Sequence, residues 1–195
     1  MHDVLIKNLQ RHIDPTTEET EVFLSLAVSK TVKRKEFLLK EGDVARHQFF
    51  VINGCLRTYT IDSSGKEHVL MFAPEDWWCS GDLNSFLSGQ KSVNHLESLE
   101  STTLLQISKD NLDILYQRAP KFERFFRVLL QNAFVFHQNR INANLSQPAE
   151  GRYDLFTKAY PGLENRIPQK YIASYIGVTP EFFSQMKANL YRKKS

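Results

Sequence analysis

The side chains best suited to chemical recognition lie near the C-terminus, between residues 179 and 187. Thr179 followed by Pro180 is typical of a helix start, because the hydroxyl can cap the helix and proline fits its first position. Glu181 and Gln185 are four residues apart and therefore share one face of that helix. A carboxylate can accept a hydrogen bond from cytosine N4, and a glutamine amide can pair with adenine N6 and N7. The candidate nucleic-acid contacts are Thr179, Pro180, Glu181, Phe182, Ser184, Gln185 and Lys187.

These candidates have different expected roles. Thr179 and the first backbone amides can meet a phosphate at the helix N-terminus, and Lys187 lies on the flank, where its long stem can reach the phosphate backbone. Ser184 lies beside the helix face that carries Glu181 and Gln185. Glu181 is equally suited to stabilising the helix dipole. Phe182 either touches a thymine methyl group or packs against the preceding helix.

The segment before these residues reads as a second short helix. Ile172 and Ile176 lie on one apolar stripe, and Gly177 stands where a helix ends in a residue with positive φ. Phe183 and Met186 supply a buried face for the helix that follows. Two short helices around a glycine turn predict a helix-turn-helix, whose second helix enters the DNA major groove.

Charge supports this interpretation. Between Arg166 and Ser195 there are six basic residues and one acidic residue, a net charge of +5, whereas the whole chain carries only +3. A basic C-terminal module on a slightly acidic body is typical of binding to a phosphate backbone. The alternative is a helical hairpin with a solvated lysine tail.

The rest of the chain has a helical, then strand-rich, then helical pattern. Residues 1–30 show helical spacing of apolar residues. Residues 31–108 contain short strands separated by turns, with a hairpin expected at Asn53-Gly54 and a turn at 62–65. Such closely spaced strands predict a sandwich, jelly roll or barrel that can enclose a small pocket.

A long helix is expected from about 121 to 145. Its apolar residues recur at alternating spacings of four and three, which predicts a heptad seam and a parallel homodimer. The expected interface residues are Phe122, Phe126, Leu129, Ala133 and Phe136. The alternative is a helix that packs only on its own domain.

Composition excludes several classes of protein. Hydrophobic residues make up 42% and charged residues 24%, as in ordinary globular proteins. The two cysteines, Cys55 and Cys79, lack the spacing of a zinc or iron–sulfur site and fit a reducing cytoplasm. The N-terminus lacks a signal-peptide pattern, and no apolar run approaches the roughly 18 residues of a membrane span. We therefore expect a cytoplasmic protein with no membrane partner.

The order of these parts resembles the bacterial family of cyclic-AMP receptor protein and the FNR regulators. The resemblance rests on 41–43 with 49–54, on Ser80-Gly81-Asp82-Leu83, and on 169–187. It implies an α+β fold: a β-roll or jelly-roll sensor domain of cyclic-nucleotide-binding type over 1–120, a dimerisation helix over 121–147, and a DNA-binding helix-turn-helix domain over 148–195. By resemblance to cyclic-AMP receptor protein, Glu181 occupies the position of a glutamate that contacts a base. Pro180 and Gln185 occupy positions where that protein has arginines. The implied partners are double-stranded DNA, a second copy of the chain and, as a further candidate, RNA polymerase.

The sequence departs from the family pattern at the positions that bind cyclic nucleotides, and these departures determine which ligand we expect. Cyclic-nucleotide binders have an Arg-Ser pair after the acid, but Ser92 and Val93 stand there, and Asp82 replaces the usual glutamate. Serine cannot provide the charge-assisted phosphate clamp of a guanidinium. We therefore expect no cyclic-AMP binding in the usual mode. An unidentified small-molecule effector is expected to contact Gly81, Asp82, Leu83, Ser92 and Val93.

Other family branches and other classes of function fit less well. No cysteine cluster precedes Cys55, as an FNR-type iron–sulfur centre requires, and a lone His68 or His95 is more often structural than a heme ligand. His47, His68 and His95 lack metal-ligand spacing, which argues against a cupin-like enzyme, so we expect neither catalytic nor metal-binding residues. Members of the resembled family usually continue into a small β-hairpin, the wing. The residues after Lys187 are too few for it, so we expect a helix-turn-helix without a full wing. The alternative function is a small-molecule-binding signalling module whose C-terminal helices do not bind DNA.

Overall fold

The structure is a computed structural model that describes residues 2–194. Contacts between elements divide the chain into two compact units. The roll unit contains the residues up to 58 together with 72–134, and the helical unit contains 59–71 together with the residues from 135 onward. The helices are α1 (His2–Gln10), α2 (Thr17–Leu26), α3 (Leu83–Ser88), α4 (Lys109–Arg118), α5 (Lys121–Ser146), α6 (Ala149–Ala159), a 3-10 turn (Leu163–Asn165), α7 (Gln169–Ile176) and α8 (Pro180–Lys194). The strands are β1 (Val28–Val32), β2 (Phe37–Leu39), β3 (His47–Asn53), β4 (Leu56–Ile61), β5 (Glu67–Ala73), β6 (Trp78–Cys79), β7 (His95–Ser98) and β8 (Thr102–Ser108).

Two four-stranded sheets form the β-roll. One sheet has the strand order β1-β8-β3-β6, with β8 antiparallel to both β1 and β3, and the other has the order β2-β7-β4-β5. The expected turn between β4 and β5 is present: the Asp62 amide donates to the Lys66 carbonyl, and Gly65 has a φ of 83°. The predicted strand-rich domain is therefore confirmed, and with it the α+β fold class.

The hairpin predicted at Asn53-Gly54 is wrong. Strands β3 and β4 lie in different sheets, so the chain crosses between sheets there. Gly54 is required by packing, because a Cβ at this position would lie 2.4 Å from Thr102 Oγ1 and 2.7 Å from Thr102 Cα. The Gly54 amide also donates to the Glu75 carboxylate at 2.8 Å. The dipeptide marks a close approach of two chain segments and not a two-residue turn.

Aromatic side chains build the core of the roll unit. Phe23 of α2 stacks on Phe122 of α5 with ring centroids 5.3 Å apart. Trp78 packs edge-on against Phe125 and Phe126 at 5.8 and 5.1 Å. Phe122 is completely buried, and Phe126 is 8% exposed. The first turns of α5 thus pack within their own unit.

Side chains of α5 and α7 are hydrogen-bonded to the first residues of β5 within the helical unit. The Ser174 hydroxyl accepts from the Val69 amide and donates to the Glu67 carbonyl, each at 2.9 Å. The Arg140 guanidinium donates to the carbonyls of Val69 and Tyr175, both at 2.9 Å, and to that of Leu70. These side-chain bonds satisfy backbone amide and carbonyl groups of β5 in the way that the backbone of a neighbouring strand would.

Candidate nucleic-acid interface

The turn between α7 and α8 is a Schellman motif. Gly177 has a φ of 74°, its amide donates to the Ser174 carbonyl at 3.2 Å, and the Val178 amide donates to the Ala173 carbonyl at 3.0 Å. Ile176 is buried just before the turn. The glycine allows the left-handed conformation that ends α7 and sets the direction of α8. The predicted helix-turn-helix is therefore present.

The start of α8 is capped as the sequence predicts. Thr179 Oγ1 accepts from the Phe182 amide at 3.2 Å. Hydrogen bonds from its own backbone amide and from the Thr179 hydroxyl lower the pKa of the fully exposed Glu181 carboxyl. An ionised acid in the first turn is favoured by the helix dipole. The structure thus supports the dipole role of Glu181 and leaves its carboxylate open to solvent.

The two faces of α8 differ sharply in exposure. Phe183 is completely buried and Met186 is 4% exposed, and Tyr153 of α6 packs edge-on against Phe183 at 5.4 Å. The opposite face carries most of the predicted contact residues in exposed positions: Thr179, Pro180, Glu181, Phe182, Ser184 and Gln185. Phe182 is 48% exposed, so packing does not bury its ring.

The exposed face extends further than the sequence analysis proposed. Asn189 lies one turn beyond Gln185, and Arg192 lies a further three residues along; both are exposed. Both continue the helical spacing that begins at Glu181, and that spacing alone could have identified them. With Glu181 and Gln185 they form a polar stripe, which we call the reading face.

The Lys187 side chain is not extended towards solvent, as a contact to the phosphate backbone of DNA would require. Its ammonium is 3.1 Å from the Glu164 carboxylate, and its side chain is only 13% exposed. Hydrogen bonds from Tyr153 and, to a lesser degree, Lys187 lower the pKa of Glu164. The lysine stem folds inward and anchors α8 to the 3-10 turn. Its charge is therefore partly neutralised within the unit.

Three of the five residues predicted to form an effector site in the roll unit, Asp82, Ser92 and Val93, are hydrogen-bonded to one another. Asp82 is 6% exposed and caps α3 by accepting from the Ser85 amide at 3.1 Å. Its other oxygen accepts from the Ser92 hydroxyl at 2.9 Å and from the Val93 amide at 3.3 Å. A Cβ at Gly81 would lie 2.9 Å from Leu96 Cβ, so packing explains this glycine. Leu83 and Val93 point outward, being 40% and 65% exposed.

A cavity of about 440 Å³ lies beside this cluster. Its lining includes Leu39, Phe49 and Ser80, and among the described residues none of the five predicted contacts lines it. His47 also lines the cavity, and burial followed by the charges of Lys30 and Arg46 lowers its pKa. A candidate effector space is thus present, next to the predicted residues and not formed by them.

No group of acidic, histidine or cysteine side chains suited to a metal ion occurs in the described part of the chain.

The predicted dimer seam on α5 needs correction. Phe122 and Phe126 are core residues, and Phe136 packs edge-on against Tyr160 at 6.2 Å. Leu129 is half-buried, whereas Ala133 is exposed. Besides Val135, at 52%, four large apolar residues that α5 leaves exposed lie in a different register: Leu130 at 41%, Phe134 at 69%, Ile141 at 58% and Leu145 at 83%. We call these four residues the α5 stripe.

Comparison with known proteins agrees with this architecture. Residues 29–119 match the family model of the cyclic nucleotide-binding domain. The chain is 26% identical over 170 residues to regulatory protein HlyX of Actinobacillus pleuropneumoniae, covering 80% of this chain and 69% of that protein. It is 26% identical over 170 residues to the fumarate and nitrate reduction regulatory protein of Vibrio cholerae, covering 80% of this chain and 66% of that protein. The chain spans between 62% and 69% of the lengths of the first curated relatives.

A solved structure shows the same fold. FixK2 from Bradyrhizobium japonicum superimposes with a TM-score of 0.74 at 16% identity, covering 86% of each chain. This protein therefore has the architecture of a β-roll of the cyclic-nucleotide-binding class, followed by a long helix and a helix-turn-helix. These similarities support assignment of the chain to the family of cyclic-AMP receptor protein and the FNR regulators. No helix in the described residues is long and apolar enough to cross a membrane.

Proposed function

We propose that this protein is a homodimeric transcription regulator that binds duplex DNA through α8 and does not bind cyclic AMP in the usual mode. The observation that carries the proposal is the reading face: polar side chains stand exposed on the second helix of a helix-turn-helix and take no part in its core. Surface groups that the fold does not use remain available for base edges.

The chemistry of the reading face suits the major groove. Gln185 and Asn189 can each pair bidentately with adenine, and the Glu181 carboxylate can accept from cytosine N4. The net charge of +5 between Arg166 and Ser195 supplies the attraction to phosphates. Arg192 is an exposed candidate for a phosphate contact, whereas Lys187 serves mainly to position α8.

The α5 stripe supports dimerisation. Its members are spaced four, seven and four residues apart, so they fall on one side of the helix. Exposed large apolar residues at this spacing favour pairing with a second α5. Two copies would present two reading faces to successive major grooves, and the operator would be an inverted repeat with half-sites about 34–36 Å apart.

The ligand proposal rests on the cluster around Asp82. At the position of the family's phosphate-binding arginine the chain has Ser92, and its hydroxyl donates to the Asp82 carboxylate. A cyclic phosphate there would meet a buried carboxylate in place of a guanidinium, and both groups are anionic. Isothermal titration calorimetry should detect no micromolar binding of cyclic AMP. Binding at that affinity would contradict the proposal.

DNA binding is tested by fluorescence anisotropy with duplexes selected from a random pool and with scrambled duplexes. We expect tighter binding to the selected sequences and a steep loss of affinity as salt increases. Gln185→Ala is the test variant, and Gln117→Ala, an exposed glutamine on α4, is its matched control. If wild-type protein binds no duplex, the C-terminal helices belong to a ligand-binding signalling module. RNA polymerase is a further candidate partner once an operator is known.

A further inference from the structure

The helical unit contains a cavity of its own, with a volume of about 320 Å³. Apolar side chains from α5, α6 and α7, among them Phe136, Leu155 and Ile176, form much of its wall. Three basic residues also line it: Arg140, Arg152 and Lys158. Among the residues that the structure describes, no acidic side chain lines this cavity. A small pocket with apolar walls and a few polar groups at one side is typical of a small-molecule site.

Arg140 is the most deeply placed of these cations. Within the described residues, the hydrogen bonds of its guanidinium all go to main-chain carbonyls, and the group lies 4.0 Å above the ring of Tyr175. Its Nε atom is buried and has no hydrogen-bond partner within residues 2–194. Burial lowers the pKa of this guanidinium, which means that the surroundings disfavour its charge. Buried charges are normally paired with an opposite charge, and Arg140 has no carboxylate partner in the described chain.

Arg152 repeats the pattern. Its guanidinium donates from Nε to the Ile176 carbonyl and from a terminal nitrogen to the Gln147 carbonyl, both at 2.7 Å. Neither acceptor carries a full negative charge. Among the described residues, Lys158 pairs only with Asp154, one turn earlier on the same exposed helix surface. Two guanidinium groups therefore line one cavity, and no carboxylate of the described residues balances them.

We propose that this cavity binds an amphipathic carboxylate, such as a medium-chain fatty acid. The carboxylate would lie by Arg140 and Arg152, which hold donors suited to it, and the hydrocarbon chain would pack against Phe136 and Leu155. A volume of about 320 Å³ lies at the lower end of the range for ligand pockets, so a chain of about eight carbons is a suitable probe. The proposal does not depend on DNA binding.

The test uses isothermal titration calorimetry with sodium octanoate on the full chain, and 1-octanol as the uncharged comparison. We expect saturable binding of one octanoate per chain. Octanol should bind at least about tenfold more weakly, because a hydrogen bond to a charged partner contributes roughly that factor. Leu155→Trp fills the cavity without removing a charge and should abolish binding. Leu87→Trp on α3 is the control, since Leu87 is 55% exposed and lies outside this cavity.

Each outcome decides for or against the proposal. Saturable octanoate binding that Leu155→Trp removes and Leu87→Trp retains supports it, provided that circular dichroism shows both variants folded. Equal binding of octanoate and octanol would overturn the anionic part, because the guanidinium groups would then contribute nothing. Absence of saturable heat with folded wild-type protein, or unchanged binding by a folded Leu155→Trp, would overturn the site altogether.

Discussion

The reading face of α8 and the cluster around Asp82 are both polar, yet their side chains are used in opposite ways. Gln185 is exposed and makes no side-chain hydrogen bond within the described chain, whereas Asp82 is 6% exposed and accepts from the Ser85 amide, the Ser92 hydroxyl and the Val93 amide. A polar group that is already satisfied stabilises the fold, and an unsatisfied exposed group is free to bind a partner. Residue type alone does not distinguish these two conditions.

The largest expected effect comes from separating the two reading faces while leaving each intact. Phe134→Asp places a charge in the α5 stripe, where Phe134 is 69% exposed. We expect a monomer by light scattering and a loss of operator affinity of about a hundredfold or more, because two linked binding sites gain at least that factor. Ile114→Asp, at a 41% exposed position on α4, is the control and should remain dimeric. A wild-type protein that is monomeric at micromolar concentration would contradict the proposed dimer.

Removing the satisfied carboxylate should affect stability and not DNA contacts. Asp82→Ala removes the side-chain acceptor of the Ser85 amide at the start of α3 and of the Val93 amide. It also removes one of two acceptors of the buried Ser92 hydroxyl, the other being the Asn94 carbonyl. We expect the free energy of unfolding to fall by about 1–3 kcal/mol, measured by urea denaturation. Asp154→Ala, at an exposed ion pair, should change it by less than about 1 kcal/mol. Equal effects of the two variants would show that the buried cluster does not stabilise the roll.

Removing an exposed amide should produce the reverse pattern. Gln185→Ala should weaken binding to the selected operator by about 1–3 kcal/mol while sparing scrambled duplexes. Its free energy of unfolding should stay within about 0.5 kcal/mol of wild type, as for other surface substitutions. Anisotropy titrations and urea denaturation measure the two quantities separately. A stability loss without a change in DNA affinity would place Gln185 with Asp82 as a structural residue.

The smallest effect concerns the anchor of α8. Because the pKa of Glu164 is lowered in the folded state, its contribution to stability is present above its ordinary value of 4.5 and is lost as pH falls through the folded value. Wild-type protein should therefore lose more of its unfolding temperature below pH 4.5 than Glu164→Gln does. Glu150→Gln, at an exposed position on α6, should follow the wild-type profile. Parallel profiles for all three proteins would show that the contacts of Glu164 with Tyr153 and Lys187 contribute little.

The sequence predicted those parts of the fold that local signals determine. Gly177, the Thr179 cap and the buried positions of Phe183 and Met186 are confirmed because caps and helical periodicity act over a few residues. The turn at 62–65 is confirmed for the same reason.

The errors arose where distant segments meet. Asn53-Gly54 has the composition of a hairpin turn, but its conformation is set by the approach of Thr102, which lies almost fifty residues away. The predicted α5 seam includes Phe122 and Phe126, which Phe23 and Trp78 cover within the same chain. Lys187 was assigned to the DNA flank from its angle on α8 alone. Helical periodicity does not reveal its ion-pair partner, Glu164, because that residue lies outside α8. Periodicity identifies apolar faces but not which element covers each one.

The division of α8 into a buried and an exposed face also bears on how such proteins diversify. Phe183 and Met186 hold the helix in place, whereas Gln185 and Asn189 contribute nothing to its packing. After gene duplication, substitutions at these outward positions can therefore accumulate at little cost to folding. If α8 reads DNA as proposed, one copy can change to a new target sequence while its sister retains the old one, and only a few codons need to change.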